Sequence, residues 1–102
     1  MAFILWIYVL ENLFINIFEN IVESTFIIQP NPANNFTQII LPNESNETKQ
    51  LAVFNVRNQI VFEGKFSEDE FNMSCSGFYP GIYFIVISEG KKIYYNKLVV
   101  TH

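Results

Sequence analysis

The chain has 102 residues, half of them hydrophobic, which is enough for one domain with a modest core. Six basic residues against ten acidic ones give a net charge of −4, and Arg57 is the only arginine, so a nucleic-acid partner is not expected. The single cysteine, Cys75, precludes an intrachain disulfide framework, and a charged content of 16% is too low for a disordered tail.

Residues 1–10, "MAFILWIYVL", are uniformly apolar but fall short of the ~20 residues that a spanning helix needs. Beyond them Glu11, Asn12, Asn16, Glu19, Asn20 and Glu23 fall on one side of a helical wheel. Leu13, Phe14, Ile17, Phe18 and Ile21 fall on the other. The spacing predicts an amphipathic helix from about Phe3 to Glu23. The first Lys or Arg is Lys49 and no A-x-A-like site follows the apolar run, so residues 1–25 do not read as a signal peptide. Their polar face is acidic, which speaks against a cationic membrane-surface helix. Packing on the domain or on a neighbouring chain is the expected role, with membrane contact by residues 1–25 and a degenerate export signal as the alternatives.

From Phe26 onward the period changes to two. "FIIQPNPANNF" (26–36) sets β-formers on either side of a Pro-Asn-Pro corner. Pro30 and Pro32 fix φ and hold Gln29 and Asn31 out of the α region, which predicts a stiff, extended lead into the first strand. "FTQIILP" (36–42) reads as a short strand and "NESNETK" (43–49) as a polar loop. "QLAVFNV" (50–56) is apolar on both alternations, the mark of a central strand covered on each side. "RNQ" (57–59) is a tight turn in which Asn58 takes positive φ. "IVFEGKF" (60–66) and "FNMS" (71–74) are strands separated by the acidic turn "SEDE" (67–70). "CSGFYPG" (75–81) is a loop, with Gly81 allowing a sharp turn into the strand "IYFIVIS" (82–88). Glu89 and Gly90 form a hairpin turn, and "KIYYNKLVVT" (92–101) is the last strand. Six or seven strands at this spacing predict an all-β sandwich.

Catalytic chemistry is sparsely provided. The sole histidine is His102, at a position where fraying works against a general base, and Cys75 reads as a small, partly buried hydrophobe at a strand end. Glu68, Asp69 and Glu70 lack the spaced oxygen ligands of a calcium loop and read as a solvated turn. No zinc ligand set or phosphate-cradling glycine loop is present in the sequence, and no cofactor or small-molecule substrate is expected. Asn-x-Ser/Thr triplets begin at Asn35, Asn43, Asn46 and Asn72, and they read as the turn-formers of a β-protein, with the glycosylation acceptors of a eukaryotic secreted domain as the alternative. Tyr79, Tyr83, Tyr94 and Tyr95 are either core residues or a stacking platform for a ligand.

The order of these signals resembles the C-terminal sorting domain (type A) of cargo proteins of the bacterial type IX (Por) secretion system. The resemblance is carried by "FIIQPNPANNF", "LAVFNVRNQIV", "GIYFIVIS" and "NKLVV", in that order. Gln29 stands where that family often has an aromatic or apolar residue, and Asn58 stands where it has a hairpin glycine. The resemblance divides the chain into residues 1–25, outside it, and residues 26–102, the sorting domain. It implies an immunoglobulin-like sandwich of about seven antiparallel strands that is not an enzyme. Such a domain directs attached cargo from the periplasm through the outer-membrane translocon to the cell surface or medium. A sortase-like cysteine peptidase then removes it, here near Ser24–Phe26. The matching positions are Pro30, Asn31 and Pro32, then Gly81 and Tyr83, then Lys97, Leu98, Val99 and Val100. The alternative is a fibronectin-like adhesive or carbohydrate-binding module working through exposed aromatics.

Overall fold

The computed structural model describes residues 22–42 and 46–102, and this part of the protein is all-β. The strands in chain order are β1 (Val22–Ser24), β2 (Ile27–Gln29), β3 (Phe36–Ile40), β4 (Lys49–Phe54), β5 (Ile60–Phe66), β6 (Glu70–Ser74), β7 (Gly81–Glu89) and β8 (Lys92–Val100). They form a five-stranded sheet in the order β1-β8-β7-β4-β5 and a three-stranded sheet in the order β2-β3-β6. Strands β2 to β8 pair antiparallel, which matches the expected number, and β1 lies parallel to β8.

The helix expected over Phe3–Glu23 lies outside the described residues except at its last two positions. Those two, Val22 and Glu23, belong to strand β1 instead. The physical reason is the edge of β8, whose unpaired N–H and C=O groups are satisfied by an extended partner and not by a helical turn.

The core lies between the two sheets. Ile28, Ile39 and Met73 of the smaller sheet meet Leu51, Val53, Ile85, Ile87, Tyr94, Leu98 and Val100 of the larger one. β4 sits between β7 and β5, and its Leu51, Ala52, Val53 and Phe54 are all buried, as an unbroken apolar run predicts. Gly64 of β5 faces Leu51 across the ladder, and a Cβ there would come within 3.3 Å of the Phe62 ring. A bare backbone at this point leaves room for Phe71, whose ring lies 6.1 Å from Phe62 and 5.0 Å from Phe66.

The turn after β4 is longer than expected. The strand stops at Phe54, Val56 is exposed, and Asn55 organises the reversal. Asn55 Oδ1 accepts from the backbone N–H of Arg57 (2.9 Å) and Gln59 (3.0 Å), while Asn58 takes φ 65° as anticipated. At the same end of β4 and β7 the pairs Phe54↔Phe84 and Gly81↔Val100 lead towards the termini of β7 and β8. The opposite end of the sheet is closed by a buried charge pair. Lys49 Nζ donates to the carbonyls of Glu47 (3.1 Å) and Ser67 (2.9 Å) and lies 3.8 Å from the Glu89 carboxylate. The other Glu89 oxygen accepts from the Tyr94 hydroxyl at 3.3 Å.

Candidate functional site: a corner stitched to the last strand

One edge of β8 would be open if the sheet ended there. The chain from Val22 to Ala33 closes it. β1 pairs first, with Val22 opposite Ile93 and Ser24 opposite Tyr94. The Thr25 hydroxyl then donates to the Tyr95 carbonyl (2.7 Å), and the Asn96 side chain donates to the Phe26 carbonyl (2.6 Å). Residues Ile27–Gln29 cross to the smaller sheet as β2, pairing with β3, after which the chain bends back. The extended lead expected from the two prolines is therefore a bend, with both X–Pro peptide bonds cis. The bend returns Asn31 and Ala33 to β8.

The contact made by Asn31 explains its residue type. Its Nδ2 donates to the Lys97 carbonyl and its Oδ1 accepts from the Val99 N–H, each at 2.9 Å. A residue in a parallel strand would make the same two bonds through its backbone, donating to one carbonyl and accepting from the N–H two residues on. Pro30 and Pro32 bring no N–H to this edge, so the carboxamide of Asn31 takes the place of a peptide unit. Ala33 then resumes the ladder with its own backbone: its N–H donates to the Val99 carbonyl (2.8 Å) and its carbonyl accepts from the Thr101 N–H (2.7 Å). Ala33 is fully buried, and Thr37 fixes the bend from behind by donating to the Pro30 carbonyl at 2.7 Å.

The glycine-containing loop joins the same end. The Cys75 N–H donates to the Asn35 carbonyl (2.8 Å), and the Tyr83 hydroxyl donates to the Tyr79 carbonyl (2.6 Å). The Phe78 and Tyr83 rings lie 4.9 Å apart. Gly81, at φ 150°, opens β7 opposite Val100, which sets Tyr83 opposite Leu98. His102 is tied down, contrary to the fraying expected of it: one ring nitrogen lies 2.6 Å from the Phe78 carbonyl and the other 3.2 Å from Asn34 Oδ1.

The sequence-predicted positions thus converge around the second half of β8, and they divide by exposure. Pro30, Asn31, Pro32, Gly81 and Lys97 are exposed and Val99 is half-buried, whereas Tyr83, Leu98 and Val100 are buried. The first group forms a surface; the second builds the core beneath it. Sequence reasoning passed over Thr25, Ala33, Thr37, Asn96 and Thr101, which complete the stitching. No pattern in the sequence marks them, because their partners lie far away along the chain or across the bend.

Reactive chemistry at this end is muted. Burial pushes the Cys75 thiol up, so it stays protonated near neutrality. Burial also pushes up the Tyr83 hydroxyl, the nearby Cys75 adds to this, and the bond to Tyr79 acts against it. No group of His, Cys, Asp and Glu among the described residues is arranged to hold a metal ion. The four tyrosines form no shared platform: Tyr83 and Tyr94 are core residues, Tyr79 is 84% exposed in the loop, and Tyr95 stacks on Phe84.

Comparison with solved structures supports the fold. PorZ, described as an essential bacterial surface component of the type-IX secretion system of Porphyromonas gingivalis, aligns with a TM-score of 0.63 at 12% identity. The alignment covers 76% of this chain and 11% of that one. A thermostable endoglucanase from Alicyclobacillus acidocaldarius aligns with a TM-score of 0.52 at 13% identity, over 76% of this chain and 15% of that one. This chain therefore corresponds to a small part of each. No curated protein matches it in sequence. The sequence profile of the secretion system C-terminal sorting domain does match, over residues 27–101, a span that begins with β2 and ends one residue beyond β8. This chain belongs to the family of type IX secretion C-terminal sorting domains.

Proposed function

We propose that the domain is a non-catalytic export tag with an immunoglobulin-like sandwich fold, read by the type IX translocon through the exposed surface around Asn31 and Lys97. The observation that carries this reading is the stitching itself. Residues far apart in sequence, Pro30–Pro32 and Lys97–Val99, share one solvent-facing edge through paired hydrogen bonds. A receptor that meets this surface senses both ends of the fold at once, so an incompletely folded tag does not present it. Attached cargo is carried to the cell surface or medium, and a sortase-like cysteine peptidase removes the tag near Ser24–Phe26. The backbone there is paired to β8, so on this reading the peptidase acts after β1 has left that strand.

The test is a periplasmic reporter fused ahead of the full chain in a strain with a working type IX system. The reporter is expected at the surface or in the medium, and Lys97→Glu and Pro32→Ala are expected to retain it in the periplasm with the fold intact. Export undiminished by both substitutions would refute recognition through this surface. Periplasmic retention of the unsubstituted fusion would refute the sorting function itself.

A further inference from the structure

The larger sheet is closed on its β8 side by Val22–Ala33, and β5 ends it on the other side. Among the described residues no strand pairs beyond β5, so one row of its backbone N–H and C=O groups points away from β4. The pairing with β4 is regular from Phe62 to Phe66. It breaks at Val61, since Val53 faces Phe62 while Phe54 faces Ile60. Val61 is thus the extra residue of a bulge, and the strand stops at Phe66 on the other side. The regular part of this edge, Phe62–Phe66, is centred on Gly64. Open edges are often blunted by charge, and β5 carries Glu63 and Lys65, both exposed on the outer side. Across the ladder towards β4 they meet Ala52 and Gln50, which carry no charge. A strand that repels its own kind would carry one sign. Opposite signs placed symmetrically about a glycine are instead complementary to a reversed copy of the same strand.

We infer that β5 pairs antiparallel with β5 of a second copy of this chain, about a two-fold axis through Gly64. In this register Glu63 faces the partner's Lys65 and Lys65 faces the partner's Glu63 on the outer side. Phe62, half-buried, faces the partner's Phe66 on the inner side, so the apolar side of the sheet continues across the axis. The neighbouring registers fail on charge or on face. A slip of two residues one way sets Glu63 against its own copy, and a slip of two the other way does the same to Lys65. A slip of one residue turns the charged side of one strand onto the aromatic side of the other. One short strand pair buries less than the about 1,200 Å² of a standard interface, so the association is a weak one. This inference does not depend on the sorting function.

Sedimentation equilibrium of the full chain tests it. A monomer–dimer equilibrium is expected, with a Kd on the order of 0.1 mM. Glu63→Lys and Lys65→Glu each set like charges opposite one another in this register, and each is expected to weaken self-association by at least about tenfold. Mixed one to one, these two variants present complementary edges and are expected to form a heterodimer about as tight as the unsubstituted homodimer. The double exchange, Glu63→Lys with Lys65→Glu, is expected to restore the homodimer. Both positions are exposed, so the thermal midpoint of every variant is expected to stay within a degree or two. The inference is overturned if the unsubstituted chain remains monomeric at about 1 mM, ten times the expected Kd. It is overturned as well if self-association is indifferent to the single reversals, which would assign the dimer to another surface. A mixture that associates no better than either variant alone overturns the antiparallel register about Gly64.

Discussion

Asn31 is the residue on which the exposed edge turns. Flanked by two prolines, it is the one position in the corner whose side chain offers a donor and an acceptor in the geometry of a peptide unit. Asn31→Ala removes both bonds to β8 and is expected to lower stability by about 1 to 2 kcal/mol, the low end applying because the bonds are solvent-exposed. The midpoint of urea unfolding measures it, and an unchanged midpoint would mean that Ala33 alone holds the edge. Cys75 sets a second expectation at this scale. Burial holds its thiol above the usual value of about 8.5, and burial likewise raises the Tyr83 and Tyr95 hydroxyls above about 10. As pH rises the unfolded chain therefore loses these protons first. The stability they contribute is complete below about pH 8.5 and is lost as pH climbs through their folded-state values. Urea midpoints are expected to be level from pH 7 to 8 and to fall above about pH 9. Cys75→Val should remove the earliest part of that fall, and a decline unchanged by it would assign the effect elsewhere.

Among the elements, β8 does the joining: it pairs with β7 on one side and receives β1, Asn31 and Ala33 on the other. Its side chains alternate between two duties, Leu98 and Val100 inward, Lys97 and Val99 outward. Leu98→Ala is expected to cost about 2 to 5 kcal/mol, whereas Lys97→Glu should leave the thermal midpoint within a degree or two. Equal losses would mean that the outward positions also carry structure. For the same reason, removing the last five residues cannot separate recognition from folding, because Leu98 and Val100 go with them. β4, β5 and β7 were legible beforehand, as runs of five or more β-forming residues bounded by turn signals. β1 and β2 were not legible. Three residues are too few to display a period, and the first was absorbed into a helical pattern that Val22 and Glu23 happen to continue. The candidate site was half legible. Its motif positions were named from their order along the chain, but their division into surface and core depends on the register of β7 against β8. The bend at Pro30–Pro32 was missed because its direction is set by bonds to a strand more than sixty residues away.

For the molecule as a whole, the two ends of the larger sheet differ in what closes them. Lys49 and Glu89 seal one end with buried charge, and the stitched corner seals the other. The parallel pairing of β1 with β8 has a mechanical consequence. Val22 lies beside Ile93 near the start of β8, while Val100 ends β8 at the far side of the sheet. Tension applied between the chain before Val22 and the chain after Val100 drags the two strands lengthwise past each other. Every hydrogen bond between them, and those of Asn31 and Ala33, then bears load together. Tension applied between the chain before Val22 and Gly90 acts at one end of the pair and opens the bonds in succession. In single-molecule pulling, the first geometry is expected to rupture at clearly higher force than the second, and equal forces would show that β1 bears none of the load. The strand that is simplest to peel from its upstream end is thus the hardest to tear away by stretching the domain from end to end.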